Sequence, residues 1–315
     1  MSTDSQSSSG VADAERRAGV FAALGAYGMW GLFPVLFRLL DAVAPLMVIV
    51  HRIVWSFVLV GAILMQRKRL DEVRAALGSP AALRSIAASA VLLAINWLAF
   101  VWAVHNDKVL EVSFGYFINP LVSVAIGMAL LGERLSRGHA AALVIALVAV
   151  AIMATGISGL PLISLTLAFS FGFYGYFRKT VAVGSAPGLF VETMILLPVA
   201  LAYLVWSVVT EGPGPLADPY LLALLVFTGP ATSLALILFA YASKRLKLAT
   251  IGMFQYVAPS GHFLLAIFAF GEPLGMVQLI SFALIWVSLV VFTADSLMHR
   301  RQPPVGGDAG AAIRK

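Results

Sequence analysis

Ten apolar stretches run through the chain, at about 19–39, 44–65, 85–104, 109–131, 138–156, 160–177, 187–209, 219–241, 249–270 and 274–295. A hydrocarbon core about 30 Å thick is crossed by roughly 20 helical residues, so each stretch is close to a bilayer span. None alternates like a barrel strand, and all are too long for one. Most connections are short, among them residues 132–137 and 271–273, which leaves no room for a soluble catalytic domain. Composition points the same way: 61% of residues are hydrophobic and 11% charged, against about 25% charged in a soluble domain. There are no cysteines, so disulfides, thiolate metal sites and cysteine nucleophiles are excluded. The sequence predicts an all-α integral membrane protein with ten transmembrane helices.

Basic residues orient those spans. With the N-terminus in the cytoplasm, the inside segments hold 18 of the 21 Lys and Arg, and the outside loops hold only Lys108. Arg38 and Arg52 lie within spans 1 and 2. The net charge of +6 is therefore a topology signal for a cell-membrane protein with both termini cytoplasmic. It does not indicate nucleic-acid binding. Residues 1–18 are polar and serine-rich, with no signal-peptide cleavage pattern, and are expected to be a disordered tail. Residues 296–315 are expected to behave likewise.

An internal repeat is visible at an offset of 139 residues. Phe100, Ala103, Lys108, Pro120, Gly132, Glu133 and Leu135 fall on Phe239, Ala242, Lys247, Pro259, Gly271, Glu272 and Leu274. Ala44-Pro45 opens span 2 as Ala186-Pro187 opens span 7. Five spans per repeat is an odd number, so the two halves, 19–156 and 157–295, enter the membrane from opposite sides. Inverted repeats of this kind mark transporters that alternate access around a site between the halves.

Tyr27-Gly-Met-Trp-Gly31 with Pro34, His51-Arg52, and the Glu111–Pro120 segment resemble the RarD group of EamA-type permeases in the drug/metabolite transporter superfamily. In the second half Tyr174-Gly175, Arg178-Lys179, Glu192, Gln255-Tyr256 with Pro259, and Gly271-Glu272-Pro273 continue the likeness. It covers about 19–295. The resemblance implies ten helices in two inverted halves and secondary transport, usually export, of small metabolites or drugs.

Polar groups at depth are the candidate site residues. Arg52 is about 12 Å below the outer edge by helical rise, where a charge must face protein or water. Asn96 and Asn119 lie about 15 Å deep, with Trp30 at a similar level. Tyr116 and Gln255 occupy equivalent repeat positions, as do Ser123 and His262. Trp30, Arg52, Asn96, Tyr116, Asn119, Gln255 and His262 are therefore expected to line a central cavity. The competing reading is structural: an arginine pinned to carbonyls, asparagines bonding helix to helix, aromatics as packing.

Glu111 and Glu192 are the acids within the spans and the candidates for ion coupling. Glu111, about 3 Å in from the outer end of span 4, can alternatively cap its helix at the outer mouth. Glu192, about 8 Å in from the cytoplasmic end of span 7, can approach Arg52 in one access state or pair with Arg178 or Lys179 at the rim.

The chain has no Gly-x4-Gly-Lys-Ser/Thr loop, His-Glu-x-x-His or Gly-x-Ser-x-Gly, so ATP hydrolysis by that route and the commoner hydrolytic sites are not indicated. No cofactor or metal is called for. The expected partners are a small-molecule substrate, the lipid bilayer and, as an alternative to a monomer, a second copy of the chain. A membrane scaffold or accessory subunit is the rival class, ahead of an intramembrane enzyme. It gives no reason for Arg52, Asn96, Asn119 and His262 at one depth.

Overall fold

The computed structural model describes residues 3–106, 108–155, 161–269, 271 and 275–298. The described residues form twelve α-helices: α1 (Thr3–Leu39), α2 (Pro45–Gln66), α3 (Leu70–Gly78), α4 (Pro80–His105), α5 (Val109–Leu131), α6 (Arg137–Ala154), α7 (Leu162–Thr180), α8 (Ser185–Glu211), α9 (Pro219–Arg245), α10 (Leu248–Gln255), α11 (Val257–Phe268) and α12 (Met276–Met298). Among the described residues nine segments are long and apolar enough to cross a membrane, with α10 and α11 counting as one. The remaining expected span is α7. It has the length, 19 residues, but its buried face carries Ser164, Ser170, Gly172, Gly175 and Arg178. A helix sandwiched by α4, α5 and α9 meets protein rather than lipid there, so it tolerates polar groups that a lipid-facing span does not.

Four local features differ from the expectation. First, α1 begins at Thr3, so residues 3–18 are helical rather than a disordered tail. The Ala, Glu and Arg residues of 12–17 are helix formers, and Glu15 pairs with Arg245 at 2.6 Å. Second, α12 continues through Met298 because Asp295 accepts a hydrogen bond from Ser136 Oγ and lies 3.4 Å from His139 Nε2. Residues 299–315, together with Glu272, Pro273 and Leu274 of the repeat match, lie outside the described residues. Third, the 66–84 connection contains α3, which buries Val73 and Ala76 and packs on α8. On its outer face Arg69 donates to Glu72 at 2.5 and 2.8 Å and holds that carboxyl below the usual carboxylate range. Fourth, the ninth span is interrupted at Tyr256. Pro259 has no N–H for the Gln255 carbonyl, and the Tyr256 N–H bonds instead to Met253 O, three residues back.

The packing follows a two-fold pattern. The first span of each repeat lies against the third and fourth of the other: α1 on α9 and on α11, α7 on α4 and on α5. The second spans cross the third spans of the opposite repeat, α2 on α9 and α8 on α4, while α2–α8, α5–α10 and α6–α12 pair with their own counterparts. The equivalent glycines agree: Gly132 and Gly271 both adopt left-handed φ, +63° and +66°. At Gly132 this ends α5 in a conformation that only glycine adopts without cost. Contacts between the halves come from all five spans of each repeat, α6 and α12 packing on each other.

Close crossings depend on absent side chains. At Gly229, where α9 meets α2, a Cβ would stand 2.6 Å from the Trp55 carbonyl carbon and 2.9 Å from Ser56 N, whereas Gly28 has open space. Gly229→Ala should cost about 1–3 kcal/mol, and Gly28→Ala should be neutral or gain up to about 1 kcal/mol. Thermal unfolding in detergent checks this, and equal shifts for the two variants would contradict the close crossing.

Candidate functional site

Arg52 is held on α2, buried to 9% exposure, in a pocket of aromatic rings. Its guanidinium lies 4.6 Å from the Trp97 ring centroid, 5.6 Å from Phe33 and 5.9 Å from Phe37, so three rings supply cation–π attraction. Nε donates to Thr232 Oγ1 on α9 at 2.8 Å, which ties the second span of one repeat to the third of the other. Tyr116 on α5 lies within electrostatic range of it. The Tyr116 ring meets His262 of α11 edge-on at 6.0 Å, and His262 Nε2 lies 2.9 Å from the Trp30 carbonyl oxygen. Trp30 in turn contacts Phe171 of α7 and Phe239 of α9 at 5.5 and 5.8 Å. Arg52, Tyr116, His262 and Trp30 thus form one connected set drawn from both repeats.

The amides sit around this set. Gln255 Nε2 donates to Ser123 Oγ at 2.9 Å across the α5–α10 seam, and Tyr27 lies beside Gln255. Asn119 is one turn before Ser123 on the same face of α5, buried to 8% exposure. Among the described residues Asn119 Oδ1 and Gln255 Oε1 are buried without a hydrogen-bond partner. An unmet buried polar atom costs about 1–3 kcal/mol, and such atoms ordinarily have a reason to be kept. Asn96 is different: its Nδ2 donates to Leu167 O and Ser170 Oγ of α7, both at 3.0 Å. That is the helix-to-helix role weighed against it above.

The two acids lie apart from Arg52. Glu111 pairs with Lys108 at 3.0 Å on a half-exposed helix end, as a rim residue. Glu192 has no exposed surface. It accepts a hydrogen bond from Ser89 Oγ of α4 at 2.5 Å and one from Tyr174 Oη of α7 at 3.5 Å, and it faces Arg178 Nη1 at 3.4 Å. Arg178 is also fully buried and donates through Nη2 to Ser185 O at 2.9 Å. Gly188 makes room for it, since a Cβ there would collide with Arg178 Nη1. Of the two arrangements open to Glu192, this structure contains the pairing with Arg178.

Thr232 and Ser89 escaped the sequence reading, and Tyr27 entered it only within the Tyr27–Gly31 motif. Thr232, Ser89 and Tyr27 are uncharged and of types common in membrane helices, so only helix rotation reveals them. The one available signal was positional, and only for Tyr27 and Thr232, which lie within a few residues of mid-span.

At the end carrying the basic loops, contacts cross between the repeats. Glu133 accepts from the backbone N–H of Leu248 and Ala249 at 2.7 and 2.8 Å, capping α10 where its dipole favours an anion. Lys247 Nζ donates to Arg134 O at 3.2 Å, and Glu15 meets Arg245 at 2.6 Å. Within the second repeat Lys244 donates to Val181 O at 2.6 Å, and Lys179 bonds to Ser243 O at 3.0 Å and to Leu246 O.

Removing one member of the buried ion pair should be worse than removing both. Glu192→Ala leaves the Arg178 guanidinium uncompensated and should cost about 3–5 kcal/mol. The double variant Arg178→Met/Glu192→Leu should recover most of that. Thermal unfolding and the yield of monodisperse protein decide it. A double variant no more stable than Glu192→Ala would contradict the pairing.

Comparisons with known proteins accord with this geometry. The EamA-like transporter family profile matches residues 17–155, which hold the first five spans. Protein RarD of Salmonella typhi is 41% identical over 290 residues, covering 91% of this chain and 98% of its own. An uncharacterized transporter of Vibrio cholerae serotype O1 is 39% identical over 284 residues, covering 90% and 94%. A solved crystal structure superposes with a TM-score of 0.70 at 19% identity, over 91% of this chain and all of its own, a likeness of fold. Identity at this level over nine-tenths of both chains makes the chain a RarD-like member of the EamA family of multi-pass membrane transporters.

Proposed function

We propose that the protein is a secondary active exporter of small metabolites or drugs that alternates access around a site between its two repeats. The observation that carries this reading is the connected set Arg52, Tyr116, His262 and Trp30, with Gln255 reached through Tyr27 and Asn119 one turn before Ser123 on α5. Every member lies at the seam between the halves. Among the described residues Asn119 Oδ1 and Gln255 Oε1 lack partners there, so a guest or water entering the seam gains hydrogen bonds the protein leaves unmade. Asn96 takes part by fixing α4 to α7 rather than by touching substrate. The basic end is cytoplasmic in this reading, and its cross-repeat contacts at Glu133, Lys247 and Glu15 hold that side closed. Export requires them to part while the opposite end closes, as two-fold related halves permit.

A scaffold has no need for unpaired polar atoms at mid-span. Catalysis would need a reacting group, and the connected set contains no nucleophile held by a base and no pair of acids. Glu192 is the coupling acid in this proposal. A change of state that separates it from Arg178 would let protonation bias the equilibrium between the two states.

Orientation is tested by cysteine labelling in intact cells. Ser185→Cys should label from inside only and Gly214→Cys from outside only, and the reverse at either position would break the inverted arrangement. Transport is tested in proteoliposomes with labelled metabolites and drugs under an imposed proton gradient. At least one class should accumulate saturably, with Asn119→Ala lowering the rate by about tenfold or more. In the same assay Glu192→Gln should flatten the pH dependence. Absence of accumulation of every compound would defeat the transport reading, and an unchanged pH profile would make Glu192 a structural acid.

A further inference from the structure

We infer that the site at Arg52 is built for an organic monoanion: a carboxylate on an aromatic or apolar body. The inference rests on the transport reading above and adds the charge and shape of the substrate. The two repeats each bury one charge at equivalent crossings and treat it differently. Where α8 crosses α4, Glu192 meets Ser89, and α7 delivers the Arg178 guanidinium to neutralise it. Where α2 crosses α9, Arg52 meets Thr232 in the corresponding way. The helix equivalent to α7 is α1, and it offers Arg52 only the rings of Phe33 and Phe37. Among the described residues no carboxylate lies within ion-pair distance of Arg52, and neither Nη makes a hydrogen bond. The second repeat thus carries its counter-charge within the fold, and the first does not.

A guanidinium buried in a membrane protein without an acid is costly. Cation–π contacts and one neutral hydrogen bond offset only part of that cost. An anion arriving at the free fork supplies the rest, and a carboxylate fits it with two parallel N–H···O bonds. The count of charges sets the ligand's valence. One guanidinium balances one negative charge, so a monoanion leaves the site neutral, whereas a phosphate dianion would leave a net negative charge at mid-span. The surroundings set the rest of the ligand. Trp97, Phe33 and Phe37 flank the charge, and the Tyr116 ring and Trp30 follow through His262 of α11, so the neighbours of the fork are aromatic. Among the described residues Asn119 Oδ1 and Gln255 Oε1 are buried acceptors without a partner, and they have capacity for a donor on the ligand.

The test uses full-length protein in detergent and matched probes: phenylacetate and indole-3-acetate, their amides, and the corresponding amines. Binding is read from thermal stabilisation and from tryptophan fluorescence, since Trp30 and Trp97 flank the site. The acids should bind about tenfold or more tighter than the amides, with the amines weakest. This comparison needs only the wild-type protein. Arg52→Gln should erase the preference and Arg52→Lys should retain part of it. Amides or amines binding as tightly as the acids, no binding of either acid at millimolar concentration, or an acid preference that survives in Arg52→Gln would each overturn the assignment. Proteoliposome uptake of the amides or amines without the acids would overturn it while leaving the transport reading standing. Uptake of no class at all would overturn both.

Discussion

Polar side chains at mid-bilayer depth must face protein or water, and this constraint orders the whole arrangement. Ten helices meet it by turning their polar positions toward one two-fold seam. The crossings there are made by pairs such as Arg52 with Thr232 and Glu192 with Ser89. Small residues allow the approach: Gly229 admits the α2 backbone, Gly252 admits the Pro120 carbonyl, and Gly188 admits a guanidinium. Between lipid tails and Leu side chains there is little hydrophobic difference, so close packing and interhelical hydrogen bonds hold the halves together. The same constraint explains α7. It is the least lipid-like of the ten spans because it is surrounded by protein.

The seam is also where the two repeats stop being copies. Two-fold packing gives both the same helix contacts, but the side chains differ. Pro259 breaks the ninth span at Tyr256, while the equivalent Pro120 lies inside an unbroken α5. The second repeat locks its buried charge with Arg178, whereas the first leaves Arg52 among rings. The second half thus holds its buried charge in an ion pair, while Arg52 of the first half has only rings and a neutral hydroxyl.

Much of the fold is legible in the sequence because span length and loop charge are one-dimensional properties. Ten apolar runs and a 139-residue repeat anticipate the helices and their relation. Helix rotation is not one-dimensional, and that is where the reading thinned. Depth counting brought Arg52, Asn96, Asn119 and Trp30 to similar levels and repeat symmetry added Tyr116, Gln255 and His262, of which Tyr116, His262 and Trp30 lie in one chain of contacts. It gave Asn96 the same standing, although its amide is spent on α7. It left open whether Glu192 approached Arg52 or the rim, because a rise of 1.5 Å per residue carries no azimuth. The helical start of the N-terminal segment was missed because serine-rich composition outweighed the good helix formers just before span 1. The α3 helix was missed because nine residues in a basic loop give a weak periodic signal.

Alternation between the repeats is the central claim, and it makes the two ends of the seam move oppositely. Spin labels at Arg137 and Thr180 report the basic end across the repeats, and labels at Asn106 and Phe268 report the other end. Pulsed-dipolar distance distributions should be recorded in lipid nanodiscs with and without a transported compound. The account predicts that one pair lengthens as the other shortens. Two distributions that stay fixed, or that lengthen together, would contradict it.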